Sequence, residues 1–301
     1  MYTKMNLLEF QKRFATEEAC LQYLLQRRWP DGFVCPRCEC GEAYWLKKRR
    51  LMQCKACRYQ ASVTAGTIFH KTRVPLRSWF WMIFLISRQK TGCSMLGIQR
   101  LVGIGSYRTA WMMGHKIRQA MSCRNDCYQL QSLVQLDDSY FGGKHRGGKR
   151  GRGTPGKTPV VVCVEMTQGK PGFVSMDVVE TMEKANVLTV ARKRIELGSH
   201  IHTDAFRAFG VLAQAGYPHQ KTRLQWLGMG IEEFPWVHTV IANCKNQLRA
   251  IQKGVSRVHL PRYLAEFCYR FNRRFWEQEL FNRLLTACTQ YPTVTYAELS
   301  A

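Results

Sequence analysis

Two Cys-x2-Cys pairs constrain this chain more than any other feature of it. Cys35-Pro-Arg-Cys38 and Cys54-Lys-Ala-Cys57 stand 15 residues apart. Each pair offers two thiolates from one tight turn, and four such sulfurs suit a tetrahedral zinc ion. The pattern predicts a zinc ribbon with short strands around turns in FVCPRC, AYWL, LMQC and QASVTAGT. Cys35, Cys38, Cys54 and Cys57 are read as the ligands. Cys40 is an alternative to Cys38, and it is taken as a spare thiol. The chain carries 13 cysteines, an odd number at uneven spacing. That argues against a secreted disulfide framework and for a reducing compartment, with further buried thiols.

Charge narrows the partner. Of 301 residues, 45 are Lys or Arg and 21 are Asp or Glu, a formal net charge of +24. Hydrophobic residues make up 46%, so the chain is no disordered polycation. An excess of this size points to a polyanion, nucleic acid before an anionic membrane surface. The longest apolar run, Trp79 to Ile86, is too short to span a bilayer, which takes about 20 residues. The first ten residues lack the pattern of a signal peptide. Lys47, Lys48, Arg49 and Arg50, between the cysteine pairs, read as a solvated hairpin tip or as a contact to DNA phosphate.

Along the chain, residues 1–32 read as a helical lead-in and 33–72 as the zinc ribbon. Residues 73–128 read as a helical DNA-binding region and 129–301 as an α/β domain. The helices SMLGIQRLV and SYRTAWMMGHKIRQAM, joined through Gly103-Ile104-Gly105, fit a helix-turn-helix. Arg108 and Lys116 would then lie on the recognition helix; the alternative is a packing helix. The segment 142–159 holds seven glycines and six Lys or Arg. It reads as a hairpin tip or as a DNA-backbone clamp through Lys144, Arg146, Lys149, Arg150 and Arg152. Its Gly156-Lys157-Thr158 is no P-loop, since the upstream glycine is misplaced and a strand follows.

Acidic residues are scarce, so their positions are informative. Asp137 and Asp138 end the strand SLVQLDDSYF, and Asp204 ends the strand SHIHTDAF. Neighbours on a strand face opposite sides, so one of the first pair can face a given site. Two strand-end aspartates in one sheet can share a pair of Mg²⁺ ions about 4 Å apart, the arrangement of phosphodiester chemistry. Turn-capping aspartates are the alternative.

The strings LDDSYFGGK, TDAFRAFG, HTVIANCKNQL and GVSRVHLPRYLAEFCYRFNRR occur in that order. Together with the zinc ribbon, they resemble the DDE-superfamily transposases of bacterial insertion sequences, in the subgroup with an Asp-Asp-Asn-Lys motif. The resemblance implies a ribonuclease-H-like catalytic core behind the ribbon and a small helical domain. It implies Asp137, Asp204, Asn243 and Lys245 as catalytic residues, the first three holding two Mg²⁺ ions, with Mn²⁺ able to substitute. An amide oxygen is a poorer Mg²⁺ ligand than a carboxylate. Glu266 is therefore a second candidate, against a plain helix ion pair, and His238 lies close enough in sequence to approach the site. Arg270, Arg273 and Arg274 would face DNA or brace the site. The implied activity is cleavage of insertion-sequence ends and transfer of their 3′-hydroxyls to target DNA. The implied partners are terminal inverted repeats, target DNA and further copies of the chain, in the bacterial cytoplasm near the nucleoid. A DNA-binding regulator without catalysis and a nuclease that never joins ends are the rival readings.

Overall fold

The computed structural model describes residues 5–143, 156–222 and 235–300. In chain order, the first elements are α1 (Leu7–Arg13), α2 (Glu17–Arg28), β1 (Ala43–Leu46), β2 (Leu51–Cys54) and β3 (Gln60–Ser62). Three helices follow: α3 (Leu76–Arg88), α4 (Met95–Val102) and α5 (Tyr107–Asn125). Next come β4 (Leu133–Phe141), β5 (Thr158–Thr167), β6 (Lys170–Val178), α6 (Lys184–Arg194) and β7 (His200–Asp204). The last elements are α7 (Val211–Gln214), β8 (His219–Thr222), α8 (Pro235–Gln247), α9 (Leu260–Phe271), α10 (Leu280–Gln290) and α11 (Tyr296–Ser300). The chain divides into two compact units, residues 1–121 with 275–301, and residues 122–274.

In the first unit the helices start where the sequence supplies caps. Asn6 and Glu9 form a reciprocal capping box on α1, and Ser94 caps α4. Helix α3 begins after Pro75 and lacks a side-chain cap of its own. Glu17 of α2 supplies one, its carboxylate accepting the Leu76 and Arg77 N–H groups at 2.7 and 3.0 Å. The negative charge also suits the positive end of the helix dipole. Helix α10 packs on α2 and α3, and Phe281 sits among Phe10, Phe14, Phe80 and Phe84. The segment 275–301 therefore belongs with the first unit, whereas the sequence reading carries the α/β domain to residue 301. The apolar face of α10 is common to any core, and only packing selects which one.

Helix α5 differs from an exposed recognition helix. It buries Ala110, Met113, His115, Ile117, Arg118 and Met121, which makes most of its length a packing helix. Arg108 is exposed near its start and stacks on Tyr296, with 4.1 Å from guanidinium carbon to ring centre. Lys116 is half-buried, and burial lowers its ammonium pKa.

The second unit is a five-stranded sheet in the order β6-β5-β4-β7-β8. The strands β6, β5 and β4 are antiparallel, and β4, β7 and β8 are parallel. Strand β5 is covered on both sides, which explains its unbroken apolar run Val160 to Val164. Val160, Val162 and Val164 meet the helices α8 and α9, while Val161 and Cys163 meet α6 and α7. The tail of the basic segment, Thr158 and Pro159, is already part of β5. This three-layer arrangement and strand order are ribonuclease-H-like.

Candidate active site

The ribbon comes first because its geometry tests its metal. The Sγ atoms of Cys35 and Cys57 are 3.6 Å apart, and those of Cys38 and Cys54 are 3.5 Å apart. Four sulfurs at about 2.3 Å around one tetrahedral zinc stand about 3.8 Å from each other, so the cluster fits zinc. Both knuckles fold alike. Glu39 and Arg58, each directly after its second cysteine, take φ of +60 and +59°. The Glu39 and Arg58 N–H groups bond back to the carbonyls of Cys35 and Cys54. Cys40 stays outside the cluster, its sulfur accepting the Glu42 N–H at 3.5 Å. The apolar group around the ribbon is small, centred on Phe33, Cys35, Cys54 and Ala61. A core of that size needs a metal to hold it. Lys47, Lys48, Arg49 and Arg50 lie at the tip between β1 and β2.

In the second unit, the carboxylates of Asp137, Asp138 and Asp204 come together, their ligand atoms lying within 4.8 Å of one another. Asp137 shares a pleat face with Gln135, whose Oε1 accepts the Val237 N–H of α8 at 3.2 Å. Asp137 thus faces α8. Asp204 is the last residue of β7, and its Oδ1 accepts the Phe206 N–H at 2.9 Å, which sets its rotamer. The presence of Asp138 corrects the alternation argument. The β4–β7 ladder stops at Leu136 opposite Thr203. Beyond it β4 has an open side, and both neighbouring carboxylates reach Asp204 around it. Three oxygen donors so close suit a hard divalent cation. They fit one by charge as well, because gathered carboxylates repel each other without it.

Helix α8 presents one flank to this cluster. His238 Nδ1 lies 3.4 Å from Asp137 Oδ2. Burial lowers the His238 pKa, and the Asp204 charge opposes that. Lys245, two turns on, shares the flank. Burial lowers its ammonium pKa, the neighbouring Lys157 adds to that, and Asp137 opposes it. Asn243 is exposed and five residues from His238, so it sits about 140° around the helix from the imidazole. That places it on the other flank of α8 from His238 and Lys245. Glu266 is buried elsewhere and pairs with Arg270 at 3.3 Å, an i,i+4 pair within α9.

A groove of about 820 Å³ opens beside the same flank. Lys157, Lys245, Arg249 and Lys253 line it together with Phe141 and Gly142, and its described lining holds no carboxylate. Lys245 Nζ lies 5.3 Å from the Phe141 ring centre. Helix α8 ends here in a π-helical turn, Leu248–Gln252, followed by Lys253 at φ +60°. Such turns occur often at functional sites. Gly142, at φ +146°, closes the base of the β4–β5 hairpin, and a Cβ there would stand 3.2 Å from the Gly156 carbonyl oxygen.

Arg270 and Arg273 are buried. Arg273 stacks on Tyr269 and donates to its carbonyl, while Arg274 donates to the carbonyls of Gly172, Pro171 and Phe271. Arg273 and Arg274 brace α9 and the start of β6 by satisfying backbone carbonyls. Lys144, Arg146, Lys149, Arg150 and Arg152 lie outside the described residues. The residues missed in the sequence are Lys157, Arg249 and Lys253; the i,i+4 spacing of Lys245 and Arg249 was the available signal.

The strand order, the strand-end aspartates and the four-cysteine ribbon define a ribonuclease-H-like protein with an N-terminal zinc-binding module. Residues 129–272 match the ISXO2-like transposase domain, and residues 15–60 match the transposase zinc-ribbon domain. Both matches are to transposase domains, carried one after the other on this chain. It is similar to an uncharacterized protein in transposable element ISH50 of Halobacterium salinarum. The two are 25% identical over 278 residues, 86% of this chain and 92% of the relative. Among solved structures it is similar to the catalytic core domain of BIV integrase, with TM-score 0.30 and 18% identity over 45% of this chain and 81% of that one. A second is the Mos1 transposase paired-end complex with the left transposon end, with TM-score 0.29 and 11% identity over 70% of this chain and 78% of that one. Among the described residues, no helix is long and apolar enough to cross a membrane.

Proposed function

We propose that this transposase is an active enzyme that cuts DNA at the ends of its insertion sequence and joins the 3′-hydroxyls to target DNA. The observation that carries the reading is the three-carboxylate cluster beside a groove lined by four cations in the same unit. Asp137, Asp138 and Asp204 would hold divalent cations, Mg²⁺ in the cell and Mn²⁺ in its place. Bound there, such ions activate an attacking oxygen and stabilise the leaving one.

The chain's own residues do the positioning. Phe141 lies four residues along β4 from Asp137, about 13 Å at strand rise. Lys157, Lys245, Arg249 and Lys253 therefore grip phosphates flanking the scissile one and hold the strand in register with the carboxylates. Lys245 is the bridge, since its flank of α8 faces both the groove and Asp137. The ribbon, with Lys47, Lys48, Arg49 and Arg50 at its tip, and the α4–α5 region near Arg108 would hold the terminal inverted repeats. Joining two ends needs two sites, so the protein would assemble on DNA as a dimer or larger. It would work at the bacterial nucleoid.

The test is strand cleavage and joining with labelled insertion-sequence ends, a target plasmid and Mg²⁺ or Mn²⁺. Wild type nicks the ends and joins them, and Asp137→Ala does neither. Tight binding of the ends without cleavage by either metal would overturn the enzyme reading in favour of a DNA-binding regulator. Cleavage without joined products would leave a nuclease.

A further inference from the structure

We infer that His238, not Asn243, supplies the helix-borne ligand to the divalent cation held by Asp137 and Asp204. The inference rests on the metal-centre reading above. Its basis is the phase of α8. The core stripe of that helix is Val237, Val240, Ile241, Cys244 and, in the turn that follows, Leu248. One flank of the stripe carries His238 and Lys245, and the other carries Asn243. The first flank meets Asp137, because His238 Nδ1 stands 3.4 Å from Asp137 Oδ2.

That separation suits two donors on one ion. Atoms each about 2.1 Å from a cation and at right angles to one another are about 3 Å apart. A small turn of the imidazole closes the difference. The His238 side chain retains 41% of its exposure, so its ring has room to turn and an ion can approach from solvent. His202, also on the α8 face of the sheet, is engaged elsewhere, its Nε2 lying 2.8 Å from Thr222 Oγ1.

A nitrogen donor changes what the centre selects. Carboxylate and carbonyl oxygens suit Mg²⁺, whereas imidazole favours transition metals, and affinity rises from Mn²⁺ onward along the first row. An Asp-Asp-His centre would hold Mn²⁺ more tightly than Mg²⁺.

The experiment uses the zinc-loaded full chain with Mn²⁺ as the probe, before any DNA is added. Electron spin-echo modulation reads nitrogen bound to Mn²⁺, and titration calorimetry reads affinity. Expected is a ¹⁴N signal in wild type that becomes ¹⁵N on labelling the histidines and disappears in His238→Gln. The Mn²⁺ affinity of His238→Gln falls at least about tenfold, the scale seen even for loss of an outer-shell partner. Asn243→Ala keeps both the signal and the affinity. Circular dichroism melts confirm that each variant is folded. Mn²⁺ bound in an Asp137-dependent manner without histidine nitrogen overturns this inference and leaves the metal centre standing. Loss of affinity in Asn243→Ala but not in His238→Gln overturns it too. If no Mn²⁺ binding is lost in Asp137→Ala, the metal-centre reading falls, and this inference falls with it.

Discussion

Replacing Phe281 by alanine should unfold the first unit at a lower temperature and leave the second one alone. Phe281 is 1% exposed and lies on α10, beyond residue 274, where the α/β unit ends. Its ring centre is 5.2 Å from that of Phe10, 5.5 Å from Phe14, 5.8 Å from Phe80 and 6.1 Å from Phe84. All four partners belong to residues 1–121. Truncating a fully buried phenylalanine costs about 3–5 kcal/mol, as lost transfer energy plus the cavity left behind. The aromatic neighbours place it in the upper half of that range, since edge-to-face and tilted pairs each add about 0.5–1.5 kcal/mol beyond area. At this unit's size each kcal/mol lowers the melting temperature by about 2–4 °C, so the fall is about 8–20 °C. The assay is calorimetry of the full chain beside a urea titration followed by hydrogen exchange. Exchange assigns each transition to β1–β3 and α3 or to the sheet of β4 to β8. A change below about 1 kcal/mol, far under the cavity cost, or an earlier transition in the sheet rather than in α3, would refute the assignment of 275–301 to the first unit.

Other consequences are equally open to measurement. Lys157→Gln with Arg249→Gln should weaken binding of all DNA sequences alike. In a fluorescence titration, the slope of log affinity against log salt should fall by about 1 for each phosphate that is no longer neutralised. Arg194→Met should destabilise the second unit by about 3–5 kcal/mol in urea. Its guanidinium donates to both Asp177 oxygens at 2.7–3.0 Å with side chains 11% and 14% exposed, and the variant strands the carboxylate. Burial pushes the Cys163 and Cys20 thiols up to about 12, and those of Cys268 and Cys288 upward as well. Iodoacetamide at pH about 8 should therefore label exposed Cys127 and spare these four, as read by mass spectrometry. The unfolded chain ionises its thiols near the ordinary value of 9.0 and the folded one does not, so stability should fall as pH rises past that value.

Much of the molecule was legible in one dimension because local chemistry wrote it there. The ribbon ligands follow from turn spacing, and the apolar run of β5 follows from burial on both faces. The exposure of the remaining thiols was harder to read. Cys123 is half-buried and Cys127 exposed, although small apolar thiols are more often interior. The site was legible in part. Two aspartates at strand ends mark where a sheet can gather carboxylates, and a single sequence shows that much. Asp138 was hidden by the rule that neighbours on a strand diverge; the pleat still obeys it, but beside the open edge of β4 both carboxylates come near Asp204. The arginines 270, 273 and 274 look like surface cations on paper, and only the structure shows Arg270 paired with Glu266 and Arg273 and Arg274 turned onto backbone carbonyls.

The sequence by itself determined the four-cysteine ribbon, the basic character, the strand-end aspartates and the resemblance to a family. Those are properties of residue type and spacing along the chain. Only the tertiary structure decided which flank of α8 meets Asp137, which core takes α10, and that α5 is mostly packed inside. Each of these depends on how one element is rotated or docked against another, and an amphipathic segment carries an apolar face without the identity of the surface that covers it.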